Sequence, residues 1–261
     1  MKGLGIFLAL LVAAPAYAAD SAASVLACMR ANVPQSLRVR DIELAATDKA
    51  GATRTLRGRL YAMREKRDKG EGPLRAMLRI DAPENLAGAA YLLRETDDYL
   101  NEGMYVYLPS VKRVRRVKGT FADGALLGTD FSYNDFKQIE GVFADADAIL
   151  EPPAEVDQRA VYVLRLKARP GTVSRYSSVR AWIDQRACVP LKVEFYEGET
   201  ARKQLSAPPG SLRQSANFWY LPVVEMRDLK EQTKTVLRVI DVNTAEFSSN
   251  YFDPKLFYLG K

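Results

Sequence analysis

The sequence predicts a mainly β protein, with about eleven strands of curled antiparallel sheet and a few helices or loops acting as a lid or plug. Three observations carry this. After Pro34 the apolar residues recur with a period of two. Turn-forming clusters, not helical stretches, separate those runs, as they do between consecutive hairpins. No parallel-type strand–helix alternation, fixed-period repeat or low-complexity linker breaks the pattern. A sheet of that many strands closes into a barrel or folds around something.

The first element is a signal peptide over residues 1–18. Lys2 is its positive head, residues 6–14 its short apolar run, and Ala16-Tyr17-Ala18 its small-residue cleavage site. Cleavage after Ala18 leaves residues 19–261, read as a single domain, soluble and periplasmic. Net charge falls from +6 to +5, because Lys2 is the one charge removed. Val25-Leu26-Ala27-Cys28 has some likeness to a lipidation box. Asp20 and Ser21 stand between it and the apolar run and argue against a lipidated Cys28.

Residues 20–32 read as a helix, with Val25, Cys28, Met29 and Val33 at three-to-four spacing and Pro34 as the stop. Strands are expected at 37–45, 53–64, 74–81, 89–95, 103–108, 111–118, 160–168, 177–184, 189–197, 218–228 and 233–242, with a further short one at 202–205. Several alternate cleanly: Leu74, Leu78 and Ile80 against Arg75 and Arg79; Tyr162, Leu164 and Leu166; Leu191, Val193 and Phe195. One apolar face and one polar face indicate a sheet covered on one side only. The N-terminal helix, residues 119–141 and the tail are then the material available to cross its open inner face. Pro152-Pro153 is a candidate boundary, although the strands on either side share one character.

Two cysteines, Cys28 and Cys188, in an exported chain predict one disulfide tying the helix to a distant strand, the alternative being two free thiols. The chain has no histidine, which excludes Ser-His-Asp and Cys-His nucleophile pairs and histidine-ligated metals. No nucleotide-binding or nucleophile-elbow motif is present. Asp123, Asp130, Asp135, Asp145 and Asp147 could pair for hydrolysis or calcium, but their spacing fits caps and loops better; Ser132 before Asp135 reads as a helix N-cap. No enzyme activity, cofactor or metal is expected.

The basic run Lys112, Arg113, Arg115, Arg116 and Lys118, interleaved with valines, is either an edge strand guarded by charge or a docking patch for an anionic headgroup, a membrane surface or a partner. Nucleic acid is not expected of an exported chain with so modest a charge. Next, residues 121–131 set Leu126-Leu127 between Gly124 and Gly128, with Phe131 beyond. This is a loop packing into the core or an apolar lid swinging on glycines.

The aromatic strand 104–108 with Pro109-Ser110, the basic run 112–118, the block Gly128-Thr129-Asp130-Phe131-Ser132-Tyr133-Asn134-Asp135-Phe136, and the hairpin from Ala181-Trp182-Ile183-Asp184 to residues 190–195 resemble the LolA/LolB-like outer-membrane lipoprotein-sorting family. The resemblance implies an incomplete antiparallel barrel around a hydrophobic cavity, lidded by helices. It implies a periplasmic carrier that binds the acyl chains of a lipid or lipoprotein and shuttles it across the envelope, partnered by an RND/MMPL-type inner-membrane transporter and touching membrane surfaces transiently. The cavity or lid would be lined by Leu60, Leu78, Ile80, Leu93, Val106, Leu126, Leu127, Phe131, Leu164, Leu166, Phe195 and Leu237. The alternative is an envelope adaptor that carries nothing and docks a transporter through its basic edge strand.

Overall fold

The computed structural model of the protein describes residues 21–32, 38–65, 72–95, 103–117, 122–133, 135, 146–168, 175–215, 218–243 and 248–260, with the backbone alone for 38–40 and 243. The expected signal peptide, Leu37 and Lys118 lie outside these.

Thirteen strands form one antiparallel sheet. Strands β1 (Arg38–Thr47), β2 (Thr53–Arg64), β3 (Leu74–Ala82), β4 (Ala90–Arg94), β5 (Gly103–Leu108) and β6 (Arg113–Val117) pair in succession. So do β7 (Ala146–Val156), β8 (Arg159–Ala168), β9 (Ser178–Asp184), β10 (Pro190–Glu197) and β11 (Thr200–Ser206). Strands β12 (Arg213–Ser215) and β13 (Phe218–Tyr220) make a separate ribbon. The hairpin of β14 (Val223–Asp228) and β15 (Thr233–Asn243) joins the halves, β14 pairing with β11 and β15 with β1. The expected single meander is therefore two meanders stitched along β1–β15. The sheet does not close: β6 and β7, neighbours in sequence, are its two edges. This is an incomplete barrel.

Three departures from the expected strands have proline at their root. Pro152-Pro153 lies inside β7, where no strand was expected; proline is tolerated on an edge, and the β7–β8 register shifts between Glu151 and Ala154 to absorb the lost donors. Pro222 splits the expected 218–228 strand into β13 and β14. An irregularity between Pro190 and Lys192 in the β9–β10 pairing accompanies Leu191 leaving the face shared by Val193 and Phe195 for an outer cluster with Val161, Val163 and Trp182.

Inner-face residues of both halves share one core. Ile42, Leu44, Leu56, Leu60, Leu78, Ile80, Leu93 and Val106 meet Leu164, Leu166, Ile183, Val193, Phe195 and Leu205. That union requires the sheet to curl. The one-sided covering read from alternation does not hold for β2–β5. Their outer face carries Tyr61, Met77, Ala90 and Leu92, and the C-terminal residues Phe252 and Phe257 pack there, not across the inner face. Tyr107 stacks on Tyr258 at 4.3 Å.

Helix α1 (Ala22–Ala31) starts in a capping box: the Ser24 amide donates to Ser21 Oγ at 3.1 Å and the Ser21 amide to Ser24 Oγ at 2.9 Å. Val25, Leu26 and Met29 enter the inner core. At its far end Asn32 clasps Trp219: Nδ2 donates to the Trp219 carbonyl (2.8 Å) and Oδ1 accepts the Trp219 amide (2.7 Å). Cys28 is bonded to Cys188, 160 residues on, with Cα atoms 5.7 Å apart. Cys188 sits in the β9–β10 turn, at left-handed φ of 54°, rather than in a strand.

Reduction of this bridge is expected to lower stability by about 4–5 kcal/mol or somewhat less, because it closes so long a loop. Denaturant midpoints with and without reductant measure it, and faster hydrogen exchange in residues 22–31 locates it. A pH dependence follows from two carboxylates. Burial works against ionisation of Asp184, but Arg159 and the amides of Ala187 and Arg186 outweigh it and hold its pKa below the usual range. Glu151, also penalised by burial, is pulled down by Arg165 and Arg180. Their contribution is full above the ordinary carboxylate pKa of about 4 and is lost as pH falls through the lower folded values. The urea midpoint should drop between pH 5 and pH 2, and less steeply in Asp184→Asn.

Candidate functional site

The inner face of an open sheet needs a cover, and residues 122–135 supply part of it. Leu126 and Phe131 are 0% and 1% exposed and belong to the inner core with Ala122; Leu127 and Tyr133 pack at its margin. The loop doubles back on itself: the Leu126 amide donates to the Phe131 carbonyl at 2.7 Å, and the Thr129 amide and hydroxyl donate to the Leu126 carbonyl at 3.0 and 2.8 Å. Leu127 is left-handed (φ 51°, ψ 31°), which costs about 1–2 kcal/mol for a leucine. Arg54 Nη2, on β2, donates to the Leu127 carbonyl at 2.6 Å and so holds this turn. Gly128, at φ 74°, packs against the same guanidinium, where a Cβ would come within 2.5 Å of Nη2. The segment is a plug seated in the core, not a lid over it, and Gly128 serves close packing rather than a hinge.

A polar latch ties the plug to the rim. The Asp130 carboxylate accepts from the hydroxyls of Thr233 and Thr235, the latter at 2.6 Å, and the Asp130 amide donates to Thr235 Oγ1 at 2.9 Å. Lys203 Nζ donates to the Asp130 carbonyl at 2.6 Å and to Asp135 Oδ2 at 3.1 Å. Ser132 and Asp135 cap each other, amide to side chain, at 2.8 and 2.9 Å. Asp135 is fully buried and Lys203 5% exposed, so each ion depends on the other. Asp135 Oδ1 finds no hydrogen-bond partner among the described residues. Beside the latch, burial first and the Asp135 charge second push the Tyr176 phenol up, and burial does the same to Tyr133.

Every expected cavity residue lies in or against this inner core. Leu60, Leu78, Ile80, Leu93, Val106, Leu126, Phe131, Leu164, Leu166 and Phe195 are buried there; Leu127 and Leu237 are partly buried against it. The basic run is not one patch. Pairing with β5 places Arg113 and Arg115 on the face of Val106 and Val117, and Arg116 with Val114 on the other, while Lys112 sits in the turn at φ 48°. Sequence reading missed Arg54, Lys203, Thr233 and Thr235. The one signal for Lys203 was its parity: two residues from inward Leu205, it faces the core and needs a carboxylate.

Outside the latch lies an open cleft of ≈ 650 Å³, walled by the β1–β2 and β14–β15 turns, the start of β11, Arg175 and the plug itself. Charged side chains make up about half of its lining residues, whereas the core beneath the plug is mainly hydrocarbon.

A family model described as "Uncharacterized protein" matches residues 73–257. The chain belongs to that family. No curated protein matches the sequence. Solved structures share the fold. A DUF1329 family protein from Desulfovibrio piger aligns at TM-score 0.80 and 19% identity, over 88% of this chain and 94% of its own. A putative outer membrane lipoprotein-sorting protein domain from Vibrio parahaemolyticus aligns at 0.79 and 20%, over 90% and 97%. A LolA superfamily protein from Nitrosomonas europaea aligns at 0.68 and 19%, over 90% and 98%. The fold is LolA-like, as the residue blocks implied.

Removing one partner of a buried ion pair typically costs about 3–5 kcal/mol. Lys203→Met is expected to fall in that range, and Thr235→Val nearer 1 kcal/mol, the worth of one hydrogen bond. Both should accelerate amide exchange at residues 125–133 more than in α1. Equal acceleration in the two places would deny the latch its local role.

Proposed function

We propose that the protein is a periplasmic carrier that takes up the acyl chain of a lipid or lipoprotein in exchange for its own plug. The observation that supports this most is that the apolar inner face is completed by a loop, not by closure of the sheet. That loop lies in sequence between β6 and β7, the two edge strands of the described sheet; it buries Leu126 and Phe131 and is tied at the rim by polar contacts. The LolA-like fold, shared with a lipoprotein-sorting domain, agrees with it.

The energies favour exchange. Burial of Leu126 and Phe131 is worth about 1.5–3 kcal/mol each, while an acyl chain of about sixteen carbons gains on the order of 10 kcal/mol at ~0.8 kcal/mol per methylene. A guest therefore displaces the plug once the latch opens. Release then needs an acceptor of higher affinity or a partner that restores the plug. In this reading the exported form starts after Ala18 and is a single domain, and it binds without catalysis. It works beside an RND/MMPL-type inner-membrane transporter, contacted through Lys112, Arg113 and Arg115 at the β6 edge, and touches membranes only transiently.

One observation favours the second reading, an adaptor that carries nothing: with the plug in place Leu78 and Ile80 are 1% and 0% exposed, so the interior is closed. Fatty-acid displacement fluorimetry and native mass spectrometry separate the two. The carrier retains an acyl lipid from its own envelope, and Phe131→Ala, which weakens the competing plug, tightens fatty-acid binding by on the order of tenfold. A chain that retains no lipid and binds no acyl probe, with or without Phe131, is an adaptor.

A further inference from the structure

We infer that the cleft beside the plug is the seat of a phosphate-bearing headgroup, so that the carrier is selective for phospholipid-type cargo. This rests on the carrier reading and deepens it. Place is the first argument. Asp123, Gly128 and Asp130 of the plug form one wall of the cleft, so a chain that replaces Leu126 and Phe131 leaves its polar end there. A volume of ≈ 650 Å³ falls within the usual range for ligand pockets.

Donor chemistry is the second argument. Four cations line the cleft, Arg54, Arg175, Arg202 and Lys203, facing five carboxylates. Formal charge alone therefore does not favour an anion; the hydrogen-bond bookkeeping does. Asp130 is occupied by Thr233 and Thr235. Asp228 accepts the amides of Lys230 and Glu231 on one oxygen and lies 2.8 Å from Arg202 Nη2 on the other. Asp48 accepts the amides of Ala50 and Ala52 on Oδ1, Glu231 lies 3.4 Å from Arg202 Nη2, and the charge of Asp123 acts on Arg175. Donors are left over. Arg202 is 6% exposed, and its Nη1 finds no acceptor among the described residues. Arg175 engages Glu197 through Nε and Arg54 engages the Leu127 carbonyl through Nη2, while a guanidinium has five N–H donors. Surplus guanidinium donors around a polar cleft match a phosphate, which accepts two parallel N–H bonds from each. Arg54 also couples the two events: a phosphate that draws it off the Leu127 carbonyl frees the strained turn of the plug.

Arg175→Gln is the test, since Arg175 is exposed at the rim and its hydrogen-bonded ion pair is with Glu197 of β10, outside the plug; Arg202, buried against Asp228, is left intact. Calorimetry on the full exported chain compares lysophosphatidylglycerol, a monoacylglycerol of equal chain length, and inorganic phosphate. The expected result is that lysophosphatidylglycerol binds wild type at least tenfold tighter than the monoacylglycerol, and that Arg175→Gln removes most of that difference without changing monoacylglycerol binding. If both lipids bind equally, in wild type and variant alike, the headgroup site is overturned and the carrier stands. If neither lipid binds but phosphate does, in an Arg175-dependent way, the carrier falls and the anion site stands. If nothing binds, both fall.

Discussion

A curled sheet with two free edges has an apolar inner face that must be covered by something other than sheet. Thirteen strands bring Leu60, Leu78, Leu93, Leu164 and Phe195 to one interior without joining β6 to β7. Among the described residues, α1 and the plug fill part of the remaining opening. Water is thereby kept from the hydrocarbon, but by short inserts rather than by backbone ladders. The arrangement depends on Lys203 and Asp135, ions that neither could be buried without the other.

The two inserts are held in unlike ways, from opposite ends of the sheet. The β9–β10 turn is bound to α1 by a covalent bridge, and the Asn32–Trp219 clasp and a capping box add to it. At the other end, by the β10–β11 and β14–β15 turns, the plug is held without a covalent bond, by the burial of Leu126 and Phe131, by hydrogen bonds and by the Lys203–Asp135 ion pair. It carries a left-handed leucine besides. Segments of one structure open locally at different free-energy costs, and the bridged helix has a covalent anchor that the plug lacks. The same contrast is what an exchange mechanism requires: one end stays shut while the other yields to a guest.

The outer face has its own logic. Over β2–β5 it is covered by the C-terminal aromatics Phe252 and Phe257, so apolar residues of these strands are buried on both faces. Over β7–β10 the apolar cluster of Val161, Val163, Trp182 and Leu191 is flanked by charge: Glu151 bridges Arg165 and Arg180 at 2.6 Å each, and Trp182 lies between Arg180 and Lys192. The edges are guarded differently too, β6 by arginines and β7 by two prolines, and both devices discourage further strand pairing.

Strand positions, the N-terminal helix, the single bridge and the apolar identity of the interior were legible in the sequence, because period, capping and cysteine count are local properties. The inward set from Leu60 to Phe195 follows from alternation alone. Proline misled where edge position made it harmless, as at Pro152-Pro153. A single bulge was enough to move Leu191 to the wrong side. What only the tertiary structure decided was which distant residues meet: β15 against β1, the tail on the outer face, and Lys203, Thr233 and Thr235 around Asp130 and Asp135. Local pattern says that a lysine two residues from Leu205 points inward; it does not say which carboxylate waits there, since that pairing joins β11 to a plug residue 68 positions away in sequence.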